Sequence, residues 1–509
     1  MSAALSGTEP SNRPSEKDLE MDQIAATADV AAAETRKTLD FLARCQRQAV
    51  RENRGKIASI TFPIESIAPW VVLSTLGELH QRHFYYDSPQ QWALIGIGSV
   101  VGCSAAGSSR FDEAQTFIEA WQTQFIYAQT TSKADLAGRF FCSATFFDSP
   151  SAKETASASF APDCFAPVYI FVPRVQVMTL EEGSSITFNI LVTATTEIAE
   201  VAQCIQVERQ RLAMADSLGT VRVAYSGVSS VASSVASSGV IEKDVTSFEG
   251  TVVGALSQIA KGTVRKVVLA DVMDVAAPQA VDVVRSLQTL RQNHPDCTVF
   301  SVGNGRGQSF MGASPERLLS LNEGRLMTDG LAGSASRGET PEEDHVLGQT
   351  LLNSDKERHE HQIVVEFIVR QLRSLGLEPQ YAQSPHLLRL LHIQHLHTPI
   401  IAALNPAQVS PLDVLAKLHP TPAVAGLPLA EACALIRHHE SFDRGLYAAP
   451  LGWIDTEGNS EFIVGIRSAL IDGHRARLYA GAGIVTGSEP GKELAEIRLK
   501  LQTLLNALV

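Results

Sequence analysis

The sequence has few cysteines, and their spacing builds neither a disulfide framework nor a metal site. There are 7 cysteines in 509 residues, an odd number, and no two are close enough to form a Cys-x-x-Cys motif. This argues against a thiolate zinc site and against the disulfide network of a secreted domain. Free thiols of this kind suit a reducing compartment, so we expect a cytoplasmic protein.

Long apolar runs and an excess of positive charge are also missing. No apolar run approaches the roughly 18 residues that a membrane-spanning helix needs. Residues 1–20 have neither an apolar core nor the Arg-rich, acid-poor composition of a targeting peptide. The net charge of −13 opposes binding to nucleic acid or to an anionic membrane surface. We expect neither partner, and an anionic small molecule would need local cations or a metal ion at its site.

The composition is that of a globular protein with a substantial core, because 45% of the residues are hydrophobic. Low-complexity segments occur at the N-terminus and at 226–240, where Ser, Ala, Val and Gly alternate without charge. The sequence therefore predicts four parts. They are a disordered tail at 1–35, an N-terminal part of the fold at 36–225, a connector at 226–245 and a catalytic region at 246–509.

Short strands separated by tight turns dominate both halves of the chain. In the N-terminal half the pattern predicts a helix at 110–125 and strands at 56–64, 91–100, 167–180 and 184–197. In the C-terminal half it predicts a strand from Lys266, a hairpin about Gly324, and an antiparallel meander before a terminal helix. Hairpins outnumber βαβ units, so the predicted class is α+β with large antiparallel sheets.

One predicted helix carries a carboxylate in line with its apolar face. In the stretch SDKERHEHQIVVEFIVRQL, an apolar stripe runs through Leu372, Ile368 and Val364, and its next position toward the N-terminus is Glu360. The spacing allows an ion pair with Lys356, and the helix dipole also favours an acid in the first turn. The same placement suits a metal ligand, so both interpretations stay open on this evidence.

The histidines beside this glutamate do not make a zinc site. A zinc-protease motif needs two histidines one helical turn apart on one face, whereas His359 and His361 are two residues apart and point to different sides. The C-terminal helix carries Glu493, Glu496 and Lys500 on one face. This face is either solvated or part of a Mg²⁺ site, since Mg²⁺ is usually held by one or two carboxylates with water.

Two stretches rich in small residues follow predicted strands. YAGAGIVTGSEPGKE contains Gly481 and Gly483, and TDGLAGSASRG contains Gly333 and Ser334. Glycine lets a backbone approach a ligand closely, and a loop at the start of a helix directs N–H groups toward an anion. A plain tight turn explains the second stretch equally well. Neither stretch is a Gly-x-Gly-x-x-Gly motif, so neither indicates a dinucleotide site.

Two ionisable residues stand at the starts of apolar strands. A lysine in the position of Lys266 is usually solvated, but in a buried site it could act as a general base. A free lysine has a pKa of about 10.4 and is protonated at neutral pH, so a base role needs a desolvated site. Glu316, in GASPERLL, precedes another apolar strand and is the candidate for a carboxylic acid with a raised pKa.

The C-terminal half contains a series of longer motifs: KVVLA, GASPERLL, LAGSASRG, DKERHEH, HLHTP, LHPTPAVAGLP, FDRGLYAAPLGW, IRSALI, YAGAGIV and KELAEIRLK. In content and order they resemble the chorismate-utilising enzymes, over about residues 248–508. The resemblance implies a single large α+β (α/β) fold with two large antiparallel β-sheets and outer helices. It also implies that the N-terminal half packs onto the same sheets.

The resemblance further implies a substrate, a cofactor and a set of site residues. The substrate is chorismate, a dianion, and the cofactor is Mg²⁺, for which Glu360 and Glu496 resemble the ligands. Lys266 resembles the general base of members that add water, and Glu316 resembles the general acid that protonates the leaving hydroxyl. Substrate binding is implied for residues of the matching motifs, namely Gly333, Ser334, His395, Arg467, Gly481, Gly483 and Lys500.

The nucleophile distinguishes the members of this family. Anthranilate synthases, which add ammonia, resemble this chain but lack a lysine at the position of Lys266. Aminodeoxychorismate synthases often carry a lysine where this chain has Ala332, and no glutamine-amidotransferase region is visible. Water is therefore the expected nucleophile. We expect an isomerase with isochorismate synthase activity, without an amidotransferase subunit, as a monomer or weak homodimer.

Two alternatives stay open. A salicylate synthase performs the same hydration and then eliminates pyruvate, and the motifs do not exclude it. A binding or regulatory protein built on a degenerate copy of the fold is the non-enzymatic alternative. The intact set Lys266, Glu316, Glu360 and Glu496 argues against that second alternative. The isochorismate expected from the main interpretation could feed quinone or siderophore synthesis.

Overall fold

The computed structural model describes residues 16–77, 81–90, 92–128, 138–149, 165–181, 183–217, 248–391 and 393–508. The predicted connector at 226–245 and residues 1–15 lie outside the described residues. The first helix, α1, spans Glu16–Glu52. The prediction of a disordered tail is therefore wrong for residues 16–35, which belong to this helix.

The remaining elements of the described residues are helices of 8 to 20 residues and strands of 2 to 12 residues. The helices in chain order are α2 (Pro69–Leu76), α3 (Arg110–Gln122), α4 (Ile198–Ser217), α5 (Phe248–Ala260), α6 (Val283–Asn293), α7 (Pro341–Asn353), α8 (Asp355–Ser374), α9 (Pro411–Leu418), α10 (Leu429–His439) and α11 (Pro490–Leu508). The strands in chain order are β1 (Lys56–Ile64), β2 (Arg82–Asp87), β3 (Ala93–Ile97), β4 (Val101–Ala105), β5 (Phe125–Tyr127), β6 (Arg139–Ala144), β7 (Val168–Val172), β8 (Val175–Leu180), β9 (Gly183–Val192), β10 (Lys266–Ala276), β11 (Thr298–Asn304), β12 (Gln308–Ser314), β13 (Arg317–Asn322), β14 (Arg325–Ser336), β15 (Gln380–Tyr381), β16 (His386–Arg389), β17 (Ile393–Ala403), β18 (Gly426–Leu427), β19 (Pro450–Asp455), β20 (Ser460–Val464), β21 (Ser468–Asp472) and β22 (Arg475–Val485).

The described strands form two large sheets. The 12-stranded sheet has the order β18-β10-β22-β21-β12-β11-β2-β3-β8-β9-β1-β5, and the 10-stranded sheet has the order β15-β17-β14-β13-β20-β19-β6-β7-β4, with β16 paired to β17. The strand pairings within the described residues are antiparallel except for that of β1 with β5. The predicted fold class, with two large antiparallel sheets, is therefore confirmed.

Both halves of the chain contribute to both sheets. In the 12-stranded sheet β11, from the C-terminal half, pairs with β2, from the N-terminal half. In the 10-stranded sheet β19 pairs with β6 in the same way. The N-terminal half therefore completes the sheets and does not form a separate fold, as the resemblance implied.

Two helices pack their apolar stripes against these sheets in the way that the sequence predicted. In α8 the residues Val364, Ile368 and Leu372 are buried, and the helix lies against β14 and β17. In α11 a stripe that includes Ile497 and Leu501 is buried, and this helix lies against β22. Since the first turns of both helices carry glutamates, packing brings those carboxylates toward the sheets.

Two predicted strands are divided in the structure. The predicted strand at 167–180 is β7 in one sheet and β8 in the other, and the break lies at Pro173, which has no N–H to give to a ladder. The middle strand of the predicted meander is likewise β20 in one sheet and β21 in the other. Between them Arg467 has a φ of 49°, a left-handed conformation that ends a regular strand.

The helices that the structure describes include none that is both long and apolar enough to cross a lipid bilayer. The longest, α1, carries charged residues along its length.

Candidate active site

A cleft brings together the site residues that the sequence predicted. Both sheets line it, through β10, β22, β14 and β17, and α8 and α11 close one side. The predicted residues found in its lining are Lys266, Glu316, Gly333, Ser334, Glu360, His395, Arg467, Gly481, Gly483, Glu496 and Lys500. Residues that are up to 234 positions apart (500 − 266) in the sequence thus share one cavity.

Lys266 is the most deeply buried charged group of the cleft. Its side chain is 2% exposed, and Nζ donates a hydrogen bond to Oε1 of Glu360 at 2.6 Å. Across the ladder, a Cβ added at Gly483 would lie 3.4 Å from Cε of Lys266 and 3.3 Å from Oε1 of Glu360. The glycine therefore leaves room for this ion pair. Lys266 is thus buried, and not solvated as a lysine at the start of a strand usually is.

Glu360 forms its ion pair with Lys266 and not with Lys356, the partner that the helical spacing allowed. Burial opposes ionisation of Glu360, but the charge and the hydrogen bond of Lys266 outweigh it and hold the pKa of this carboxyl below its usual value. Lys356, the alternative partner, lies 3.7 Å from Glu357 instead. The interpretation as a solvated first-turn ion pair with Lys356 is therefore wrong.

Four glutamates face the cleft from the first two turns of the two helices, namely Glu357 and Glu360 on α8 and Glu493 and Glu496 on α11. Burial raises the pKa of the Glu493 carboxyl, and the charges of Glu496 and Glu360 raise it further. Burial and the charge of Glu360 likewise raise the pKa of Glu357. The carboxylates of the two helices are thus close enough to repel one another.

This crowding of oxygen donors fits a hard divalent cation. Within the described residues, no group of three or more His, Cys, Asp and Glu side chains is arranged as a ready-made metal site. Magnesium does not need one, because it keeps several waters and takes one or two carboxylates. Sequence reasoning missed Glu357, which stands one turn before Glu360 just as Glu493 precedes Glu496. That repeated spacing is the signal that could have found it.

Glu316 is buried just before β13, and its backbone forms hydrogen bonds on both sides. Its N–H donates to Oγ of Ser314, and its carbonyl oxygen accepts from N–H of Val464. Burial raises the pKa of the Glu316 carboxyl to about 7; the charge of Lys266 opposes this rise and that of Asp329 adds to it. A carboxylic acid that keeps its proton near neutral pH can serve as a general acid.

The predicted cationic groups lie in the same cleft. Lys500 donates to the carbonyl oxygen of Gly481 at 2.9 Å and forms an ion pair with Glu496 at 2.7 Å. Nη1 of Arg467 lies 3.7 Å from Sγ of Cys297. A Cβ at Gly481 would lie 2.7 Å from the hydroxyl of Tyr447, so this position needs glycine. These contacts leave a positively charged end beside a glycine-lined strand, which suits a carboxylate.

His395 presents a polar group to the cleft. Its Nδ1 lies 2.8 Å from Oγ of Ser334, and its Nε2 is buried without a partner among the described residues. Burial and then the charges of Arg467 and Lys500 lower its pKa to about 3, so the ring is neutral. Gly333 has a φ of 76° at a bulge in β14, which only glycine adopts readily. An unpaired buried nitrogen in a cleft is available to a ligand.

The histidines that flank Glu360 do not act at this cleft. His361 is buried on the other side of the helix, with Nε2 2.8 Å from Oγ1 of Thr398. His359 is exposed. This agrees with the rejection of a zinc motif at this place in the sequence.

Comparison with known proteins gives a family. A family model described as "Chorismate binding enzyme" matches residues 40–509, which includes the N-terminal half, where the sequence offered no recognisable motif. The chain is 34% identical to the "Salicylate biosynthesis isochorismate synthase" of Pseudomonas aeruginosa over 464 residues, or 91% of this chain and 92% of that protein. It is 32% identical to the isochorismate synthase MenF of Bacillus subtilis over 470 residues, or 91% and 95%.

A solved structure has the same fold. The menaquinone-specific isochorismate synthase MenF from Escherichia coli superposes with a TM-score of 0.69, at 24% identity, over 92% of this chain and 100% of that chain. At this identity the likeness concerns the arrangement of the sheets and helices.

Proposed function

The chain belongs to the family of chorismate binding enzymes, and from this premise we propose that it is a Mg²⁺-dependent isochorismate synthase. As an enzyme of this kind it would convert chorismate reversibly to isochorismate. The observation that carries the proposal is the presence, in one cleft, of a buried lysine, Lys266, and a buried glutamate with a raised pKa, Glu316. The similarity to relatives that bear the name isochorismate synthase supports it.

Substrate binding would use the charged and polar groups already described. Arg467 and Lys500 would attract the carboxylates of the dianion, since an arginine can bind a carboxylate with two parallel hydrogen bonds. The backbone at Gly481 and Gly483 allows the ligand to approach the strand closely. The unpaired Nε2 of His395 is then available to a substituent of the ring.

The residues that would hold Mg²⁺ are Glu360 and Glu496, with Glu357 and Glu493 beside them. Bound there, Mg²⁺ would supply positive charge to a substrate carboxylate and offset the negative charge that now stabilises the ammonium of Lys266. The crowded carboxylates of the two helices support this assignment, because their mutual repulsion is relieved by a cation.

The chemistry is one addition and one loss of water. Lys266, once it has given up its proton, takes a proton from a water molecule as that water bonds to C2 of chorismate. The ring double bonds shift, the C4–oxygen bond breaks, and Glu316 gives its proton to the departing hydroxyl, which leaves as water. One proton must then return from Lys266 to Glu316 before the next turnover. The acid and the base therefore each need the other in the correct protonation state.

We also propose that the chain works without an amidotransferase subunit, in the cytoplasm, and as a monomer or weak homodimer. Water as the nucleophile supports the first, because no ammonia source is then required. The free thiols of the described cysteines support a reducing compartment.

Product analysis tests this function. The purified chain is incubated with chorismate and Mg²⁺, without ammonia or glutamine, and the products are separated and identified. Isochorismate alone is the expected result. Salicylate with pyruvate would instead identify a salicylate synthase, and the lack of any product would point to a binding protein built on this fold.

A further inference from the structure

A cluster of charged and titratable side chains lies next to the general acid but does not line the cleft. Arg317, which follows Glu316 directly, contacts the carboxylate of Asp329 through Nη2 at 3.0 Å and Nε at 3.1 Å. On the other side of that carboxylate, Nε2 of His397 lies 2.9 Å from Oδ1. The ring of His397 in turn contacts His386, with 3.1 Å between Nδ1 and Nε2.

These contacts keep Asp329 charged although it is largely buried. Burial alone would raise the pKa of this carboxyl, but the hydrogen bond from His397 and the charge of Arg317 lower it below its usual value. The side chain of Asp329 is 11% exposed. A negative charge in such a poorly solvated position acts strongly on other charges nearby.

Glu316 is the group on which that charge acts. Its ionisation is opposed first by burial and next by Asp329, and it is favoured by Lys266 on β10. The charge of Glu316 contributes to the raised pKa of Tyr447, and the charge of Arg317 opposes the rise in the pKa of Glu461 on β20. Lys266 thus favours the ionised form of Glu316, whereas burial and the negative charge at Asp329 favour the protonated acid.

We propose that Asp329 is a positioning residue that keeps the proton on Glu316, and that Arg317 and His397 hold it in its charged state beside the acid. The inference rests on the proposed function, in which Glu316 is the general acid. Asp329 acts through Glu316 and not on the substrate, since none of Asp329, Arg317, His397 and His386 is among the described residues that line the cleft.

The variant Asp329→Asn removes the charge and keeps the shape. Glu316 should then lose its proton at lower pH, so the alkaline fall of kcat should move down by about 0.5–1 pH unit, while KM changes little. Asp274→Asn is the matched control, because Asp274 forms a comparable ion pair with Arg477 at 2.7 Å and does not line the cleft. Its pH profile should match that of the unmodified chain.

A second measurement does not depend on turnover. Infrared titration of the Glu316 carboxyl, as the difference between the chain and its Glu316→Gln variant, should give a lower pKa in the Asp329→Asn background. If Asp329→Asn does not fold, Asp329→Ser removes the same charge and should give the same shift. His397→Gln, which can still donate to Asp329, should leave the titration near that of the unmodified chain.

The outcomes separate the two proposals. An unmodified chain that makes isochorismate, together with an Asp329→Asn titration that does not move, would overturn the role of Asp329 and leave the proposed function intact. An unmodified chain that makes no isochorismate would overturn the proposed function. The infrared titration would still decide whether Asp329 controls the proton of Glu316.

Discussion

Buried lysines occur at the starts of two strands in this chain, in different surroundings. Lys56 opens β1, is 3% exposed, and is bonded to Glu52 and Gln124. Lys266 opens β10, is similarly buried, and is bonded to Glu360 in the cleft. A lysine in the interior needs such a partner in either place. Of the two lysines, it is Lys266 that shares its cavity with the proposed general acid, Glu316.

This pair allows a matched test of the base. Lys266→Ala should lower kcat by at least about 100-fold, the usual contribution of a general base, while chorismate binding measured by calorimetry changes little. Lys56→Ala should lower the thermal unfolding midpoint because it removes the hydrogen bond to Oε1 of the buried Gln124, and it should keep kcat. Equal activity in the chain and in Lys266→Ala would contradict the base assignment.

The raised pKa of Glu316 predicts a pH-dependent effect on stability. Burial raises it from the usual 4.5 to about 7 in the folded state, so folding holds this proton more tightly than the unfolded chain does. The resulting stabilisation is complete below about pH 4.5 and is lost as the pH rises through 7. Ionisation of the buried acid should by then cost about 3 kcal/mol.

The variant Glu316→Gln removes this dependence because the amide does not ionise. Its free energy of unfolding relative to the unmodified chain should therefore rise between about pH 5 and about pH 8.5, as measured in urea. Glu366→Gln, on the exposed face of α8, should show no such trend. A Glu316→Gln difference that stays constant across this range would show that the acid is not held protonated in the fold.

At the scale of elements, the site depends on two helices, one packed on each sheet, whose N-terminal turns reach the same cleft. The apolar stripes that fix α8 and α11 are local patterns, so the sequence predicts both helices and the face that each one buries. The groups that each glutamate contacts across the cleft come from distant parts of the sequence, and no local pattern predicts them. The contact of Glu360 with Lys266 depends on the register of β10 and β22, in which Val268 pairs with Gly483, and no spacing in the sequence gives that register.

The proposed Mg²⁺ site depends on the relative position of α8 and α11, because it needs one carboxylate from each helix. Glu360→Gln should weaken Mg²⁺ binding by about tenfold or more, as measured by calorimetry without substrate, because a neutral amide replaces the charged ligand. Glu366→Gln, on the same helix and exposed, should bind Mg²⁺ as the unmodified chain does. If both variants bind Mg²⁺ equally well, Glu360 is not a ligand.

At the scale of the whole molecule, the sequence predicts the class of fold better than the path of the chain through it. Alternation and turns predict antiparallel strands, and the motifs predict which residues meet. The crossing from one sheet to the other between β20 and β21 was not predicted. It depends on Gly465, where a Cβ would lie 2.6 Å from the carbonyl oxygen of Leu446, and on the positive φ of Arg467. The apolar pattern continues through this crossing, so the sequence gives no sign that the chain changes sheets there.

Shared sheets also predict that the catalytic region does not fold alone. A fragment of residues 246–509 would leave β11 without β2 and β19 without β6, which exposes two strand edges and their apolar faces. We expect the fragment to show no cooperative thermal transition by circular dichroism, whereas the full chain does. A fragment that melts cooperatively and turns over chorismate would contradict this.

Isotope labelling shows directly whether a water molecule adds to the ring at C2 while the C4 hydroxyl leaves, as we propose. The chain is incubated with chorismate and Mg²⁺ in ¹⁸O-enriched water, and isochorismate is isolated early in the reaction and examined by mass spectrometry. We expect one ¹⁸O atom in the product, at the C2 hydroxyl. Isochorismate that carries only the original oxygen atoms would mean that the C4 hydroxyl is transferred within the molecule, and would rule out the addition of water.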